Sequence, residues 1–218
     1  YNRSGLGNLG RDEDIPLNLD TGTTKAHISN GRRLKRSSLC NFVLDAEKII
    51  ALPKLKTHSF QFMTLACKIM YGAVPGLTKA RYHAQFRRKP SFADMMLDIM
   101  TIVKPQLYLM DGIIAMQGQG PASGDPIRLD LVLASTNPVA MDIAVSRKAA
   151  EMKGETDDTS PDVQYHLGSR RRYRRLVALT DAEAARGATL WGALAIVADT
   201  AVPFPERICL AGEKTFPE

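Results

Sequence analysis

Only three cysteines, Cys40, Cys67 and Cys209, occur in the 218 residues. They are odd in number and far apart, so they define neither a disulfide framework nor a Cys-x-x-Cys metal site. Three scattered thiols also cannot supply a four-thiolate set, so no iron–sulfur cluster is expected on this chain. Buried free thiols in a reducing cytoplasm are the plain reading, and the expected location is cytoplasmic. No apolar run reaches the ~18 residues that span a bilayer, so no membrane association is expected. The first ten residues carry no hydrophobic signal-peptide segment, and position 1 is Tyr rather than Met, so the chain reads as a fragment or a processed product.

Aromatic residues are scarce at 6%, and no recognisable RNA- or DNA-binding motif is present, which argues against a nucleic-acid surface. The net charge of +6 is gathered in three places: Arg32, Arg33, Lys35 and Arg36; Lys79, Arg81, Arg87, Arg88 and Lys89; and Arg170, Arg171, Arg172, Arg174 and Arg175. Such runs can bind phosphates, but they also form solvated faces or sit opposite acidic segments. Apolar residues make up 44% of the chain, enough for a sizeable core. One α/β domain over 1–218 is expected, with a helical C-terminal segment at 153–200.

The hydrophobic pattern predicts strands at 15–20, 33–39, 47–52, 106–110, 127–134 and 206–210, with a hairpin turn at Asn30-Gly31. It predicts helices at 60–71 and 91–104, the second capped by Ser91, and a helix opened by Asn137-Pro138 and running to about Met152. Further helices are expected from Pro161, from Thr180 to Gly187, and over 188–199. Strands and helices alternate between 47 and 152, which argues for a mixed, partly parallel sheet covered by helices. Ligands of such sheets bind outside the carboxyl ends of the strands. The segments 53–58, 111–126 and 135–142 are expected to be loops there.

The most distinctive stretch is Pro53-Lys54-Leu55-Lys56-Thr57-His58. Two lysines alternate around a leucine and lead to a hydroxyl and an imidazole, just before an expected helix start. That combination suits a phosphate or carboxylate; a solvated basic loop is the competing reading. His58 and His83 are of the type that serves as general base or metal ligand. Asp111 and Asp142 follow strands on the same expected edge. No short-range ligand spacing joins these four, so no metal site is assigned. Gly118 and Gly120 lie in a Gly/Pro-rich loop able to approach a ligand closely. The dinucleotide, P-loop and nucleophile-elbow patterns are absent.

In order along the chain come Leu52-Pro53-Lys54-Leu55-Lys56-Thr57-His58, Tyr71-Gly72-Ala73-Val74-Pro75-Gly76-Leu77 with Lys79 and His83, and Met110-Asp111-Gly112-Ile113. Gly118-Gln119-Gly120-Pro121 and Ala134-Ser135 through Pro138-Val139-Ala140-Met141-Asp142 follow. Together they resemble the family known as domain of unknown function 362, best over residues 45–150. The chain departs from the family pattern at Phe62 and Ile69, both bulky and apolar. Many members carry a ferredoxin-like module, so the resemblance implies a redox association. With no cysteine cluster here, it would act through a separate ferredoxin-like partner. Members also usually have an upstream α/β segment. An unpaired sheet edge or exposed apolar patch near the first strands is therefore expected, with homo-oligomer formation as one outcome.

The resulting expectation is an α/β domain for a small anionic ligand, its cofactor unknown, acting as part of a redox system. His58, Lys54 and Lys56 are the candidate catalytic residues. Thr57, Lys79, His83, Asp111, Gly118, Gly120 and Asp142 are the candidate ligand-binding residues. The rival readings are a non-catalytic interaction domain and a nucleic-acid binder.

Overall fold

The structure is a computed structural model that describes residues 5–166, 168, 193–197 and 208–210. After a short helix α1 (Leu6–Asp12), the strands β1 (Thr23–His27) and β2 (Arg36–Cys40) pair antiparallel as a separate two-stranded sheet, and the short helix α2 (Asn41–Leu44) follows. Residues 15–20 are not a strand: their alternation is real, but the pairing partner lies opposite 23–27. The 28–35 connection is pinned from outside. The buried carboxylate of Asp98 accepts the Arg32, Arg33 and Leu34 N–H groups at 2.8, 2.7 and 2.8 Å. Arg33 Nε also reaches Asp94 Oδ2 at 3.3 Å. Part of the first basic cluster thus answers to acids on a helix.

The main sheet has the order β5–β4–β6–β7–β8–β9, with β3 beside β6 as well. Its strands are β3 (Ile50–Ala51), β4 (Lys54–His58), β5 (Phe62–Thr64), β6 (Leu107–Gln117), β7 (Asp125–Ser135), β8 (Ala193–Val197) and β9 (Ile208–Leu210). β3 and β4 run parallel to β6; every other pair is antiparallel. The sheet is therefore mixed and partly parallel. The parallel crossover carries α3 (Ala66–Ile69), a 3-10 turn (Met70–Ala73), α4 (Gly76–Gln85) and α5 (Lys89–Met100). A tight hairpin turn cannot join parallel neighbours, so a long crossover connects them, and here it is helical.

Residues 53–58 are a strand, not a loop. Pro53 has no N–H to give, but its C=O accepts Asp111 N–H at 2.9 Å, and Leu55 turns inward while Lys54 and Lys56 stay on the outer side. Residues 60–71 are not one helix. A tight β4–β5 hairpin occupies 59–61, and Phe62 closes it with φ +64°, in the left-handed region. β6 also runs well past Asp111, because a bulge at Gly112–Ile114 bends the strand and lets pairing resume. Residues 193–197 are strand rather than helix. The Thr180–Gly187 expectation and the Arg170–Arg175 cluster lie outside the described residues.

Other expectations hold. α5 covers nearly the expected span, although Arg88 rather than Ser91 is its N-cap. Helix α6 (Pro138–Met152) begins as read: Asn137 Oδ1 accepts the Val139 and Ala140 N–H groups, both at 3.1 Å. Residues 161–166 are helical. The core lies between the sheet and α3, α5 and α6, with Phe92, Met95, Ile99, Met110, Met141 and Ile143 fully buried. Among the described residues, β3 pairs on one side only. Beside it Ile50 and Leu52 are exposed at the rim of an apolar groove of about 420 Å³, floored by Ala51, Met70 and Val103. No helix among the described residues is long and apolar enough to cross a membrane.

Candidate anion-binding site

β4 carries Lys54, Lys56 and His58 on one face by the period of two. Lys54 is spent on an exposed ion pair, with Nζ 2.6 Å from Asp111 Oδ2. Asp111 also accepts Ile113 N–H at 3.0 Å, closing the β6 bulge. Burial works against its ionised form, yet the bonds from Lys54 and Ile113 and the Lys54 charge hold it below the usual carboxylate range. Lys54 and Asp111 therefore serve the strand edge first.

Lys56 donates to the Pro121 carbonyl at 3.2 Å, and Ser59 N–H donates to the Gly120 carbonyl at 3.2 Å. The 118–124 loop thus lies along the end of β4. Two glycines make this possible. Gly118 has φ +74°, and a Cβ on Gly120 would sit 1.9 Å from the Thr57 carbonyl oxygen. Thr57 Oγ1, on the opposite face from Lys56, is buried and has no partner among the described residues.

His58 Nδ1 accepts the Phe60 and Gln61 N–H groups at 3.1 and 3.2 Å. The ring therefore caps the hairpin, and the proton of the neutral imidazole is left on Nε2. Burial, then the charges of Lys68, His83 and Lys56, push the His58 pKa down to about 4. At neutral pH this histidine is a neutral N–H donor with its basic nitrogen already used.

Lys68, which the sequence reading passed over, completes the group. It lies on α3, directly after the β5 hairpin strand. Its Nζ is buried with no hydrogen-bond partner among the described residues. Burial, then the Lys56 charge, lower its pKa to about 7. An unpaired buried ammonium beside other cations is costly unless something negative joins it. The signal that could have found it is the Lys-rich hairpin folding back on itself, visible only once 60–64 is read as turn and strand.

The other candidates fall around this group or away from it. His83 stacks on Phe92 with ring centres 4.8 Å apart and meets Tyr71 edge-on at 5.6 Å. Burial and Lys68 lower its pKa, which places it in the same electrostatic group. Lys79 turns to the Gly72 carbonyl at 3.4 Å, next to its own helix. Asp142 is 1% exposed, and its two carboxylate oxygens take the Ala66 and Cys67 N–H groups at 2.8 and 3.1 Å. Phe62 lies under Lys89, whose Nζ is 3.4 Å from the ring centre, while Ile69 lines the apolar groove at β3. Among the described residues no cluster of His, Cys, Asp and Glu could hold a metal ion.

Three comparisons set this site in context. The profile of the family described as Domain of unknown function (DUF362) matches residues 1–147. The chain is 36% identical over 137 residues to "Thylakoid-associated protein sll1697" of Synechocystis sp. (strain ATCC 27184 / PCC 6803 / Kazusa), a match covering 61% of this chain and 41% of that protein. The chain thus spans less than half the length of that curated relative. No solved structure matches it.

Proposed function

The chain belongs to the family described as Domain of unknown function (DUF362), and on that premise we propose that Lys56, His58 and Lys68 bind a small oxyanion, a phosphate or carboxylate group. The observation that carries this reading is the buried, partnerless Lys68 ammonium beside Lys56, His58 and His83. The group offers donors: the ammonium of Lys68, the spare N–H bonds of Lys56 and the His58 Nε2–H. An oxyanion accepts from all three and relieves their mutual repulsion, and each charge-assisted bond is worth about 1.5–3 kcal/mol. His58 acts here as a donor rather than a general base, because its Nδ1 is engaged and its pKa lies far below neutrality. Lys54 supports the site from outside by holding the bulge through Asp111.

Isothermal titration at pH 7 with inorganic phosphate, sulfate and acetate tests the reading. Wild type is expected to bind at least one of them. Lys68→Met is expected to weaken that binding at least tenfold, about 1.4 kcal/mol. Lys25→Met, on the exposed β1 edge, should leave it unchanged. The absence of heat with every anion, or an unchanged affinity in Lys68→Met, contradicts the assignment.

A further inference from the structure

We infer that Asp142 is a positioning residue of this site: by holding the first N–H groups of α3, it sets where the Lys68 ammonium lies. The inference rests on the anion-site reading for its purpose, but not for its test. α3 is only four residues long, and its own N-cap, Leu65, supplies no side-chain bond. A helix that short has no cooperative stability of its own. Its orientation must come from outside, and Asp142 on α6 provides it. One carboxylate oxygen takes Ala66 N–H and the other Cys67 N–H, the residue just before Lys68.

Asp142 is itself fixed. Asn137 caps the start of α6, and Ser135 Oγ takes Asn137 N–H at 2.9 Å and donates to the Asn137 carbonyl at 3.0 Å. Ser146 Oγ donates to the Asp142 carbonyl at 2.7 Å. A continuous set of bonds therefore runs from the end of β7 through α6 to the backbone that carries Lys68. Behind this junction lies a small cavity of about 20 Å³, lined by Gln61, Cys67, Lys68, Asp142 and His166 among others. Ala66 and Cys67 are buried in the core, so the two bonds fix the turn of a helix that is already held against its neighbours. The carboxylate is buried and its oxygens are engaged, so it acts through Lys68 rather than on a ligand.

The test follows the Lys68 side-chain ammonium by NMR pH titration in the ligand-free full chain, alongside phosphate affinity. In wild type Lys68 is expected to titrate near 7. In Asp142→Asn, which keeps one acceptor and presents N–H groups to the other donor, it should move toward its ordinary 10.5 as the ammonium leaves its buried place. Phosphate affinity should fall at least tenfold. Burial pushes the Asp142 carboxyl up to about 7; Asp142→Glu keeps this carboxyl group and both oxygens but carries them one methylene further out, so it should fold, shift Lys68 part of the way and weaken phosphate several-fold. A wild-type Lys68 titration in folded Asp142→Asn overturns the inference. If that variant does not fold, the same result in Asp142→Glu does so. A shifted Lys68 in a chain whose wild type ignores phosphate supports the positioning role and refutes the anion site instead.

Discussion

Lys68→Met should make the ligand-free protein more stable while removing its response to anions. Lys68 holds an ammonium in a half-buried place without a partner, and its pKa lies at about 7 instead of 10.5. Between those two values the unfolded chain holds a proton on Lys68 that the folded chain does not, so stability rises with pH across that window. Below about pH 7 both states are protonated and the full penalty is felt. At about 1.36 kcal/mol per pH unit the ceiling is about 5 kcal/mol. Screening by solvent at a half-buried position reduces it to the order of 1–2 kcal/mol. Methionine fills similar space with a flexible apolar chain. In phosphate-free buffer at pH 6 the variant should melt roughly 2–8 °C above wild type. The difference should shrink as pH rises from 7 toward 10.5. Cys67, whose thiol burial and Asp142 push up, contributes equally to both chains and drops out of the comparison. With phosphate at ten times its Kd, wild type should gain about 1.4 kcal/mol and the variant nothing. Calorimetry across pH reads all of this. A variant less stable than wild type at pH 6, with a gap that does not change with pH, refutes the reasoning.

Asp98→Ala should leave the Arg32, Arg33 and Leu34 N–H groups without their acceptor, costing at least ~3 kcal/mol by denaturant titration; a loss below ~1 kcal/mol would count against the pinning of that loop. Gly120→Ala places a methyl group 1.9 Å from the Thr57 carbonyl oxygen, so the loop must shift, with a loss of about 1–3 kcal/mol and weaker phosphate binding through Lys56; unchanged affinity would separate the loop from the site. The open β3 edge and its apolar groove favour association. Light scattering should show mass rising with concentration, and less so in Leu52→Lys; a monomer at every concentration would show the edge to be harmless.

Long periodic elements were legible, while the places where side chains replace secondary structure were not. α6 could be read to its first residue because Asn137 and Pro138 act locally, through a cap and a fixed φ. α5 and the long β7 carry patterns strong enough to survive small errors at their ends. β4 looks like a loop in the sequence because Pro53 and two lysines hide a period-two pattern carried by the single inward Leu55. The 60–71 stretch has helical spacing, yet the His58 ring and the left-handed Phe62 make it a hairpin, a bond between ring and backbone that no periodicity records. That one error hid Lys68. The lysines and histidine of β4 are recognisable as candidates, but their separate roles depend on the fold: Asp111 for Lys54, Pro121 for Lys56, and burial with the nearby charge of Lys68 for His58. Asp142 was recognised for its place after a strand, while its bonds to Ala66 and Cys67 needed the fold.

The most direct test of the anion site is the NMR pH titration of the His58 ring with and without inorganic phosphate. Without phosphate the ring should titrate near 4, because burial and the charges of Lys68, His83 and Lys56 disfavour the imidazolium. A bound oxyanion offsets those charges, so its midpoint should rise by at least one pH unit, about 1.36 kcal/mol. A His58 midpoint that ignores phosphate would contradict the account.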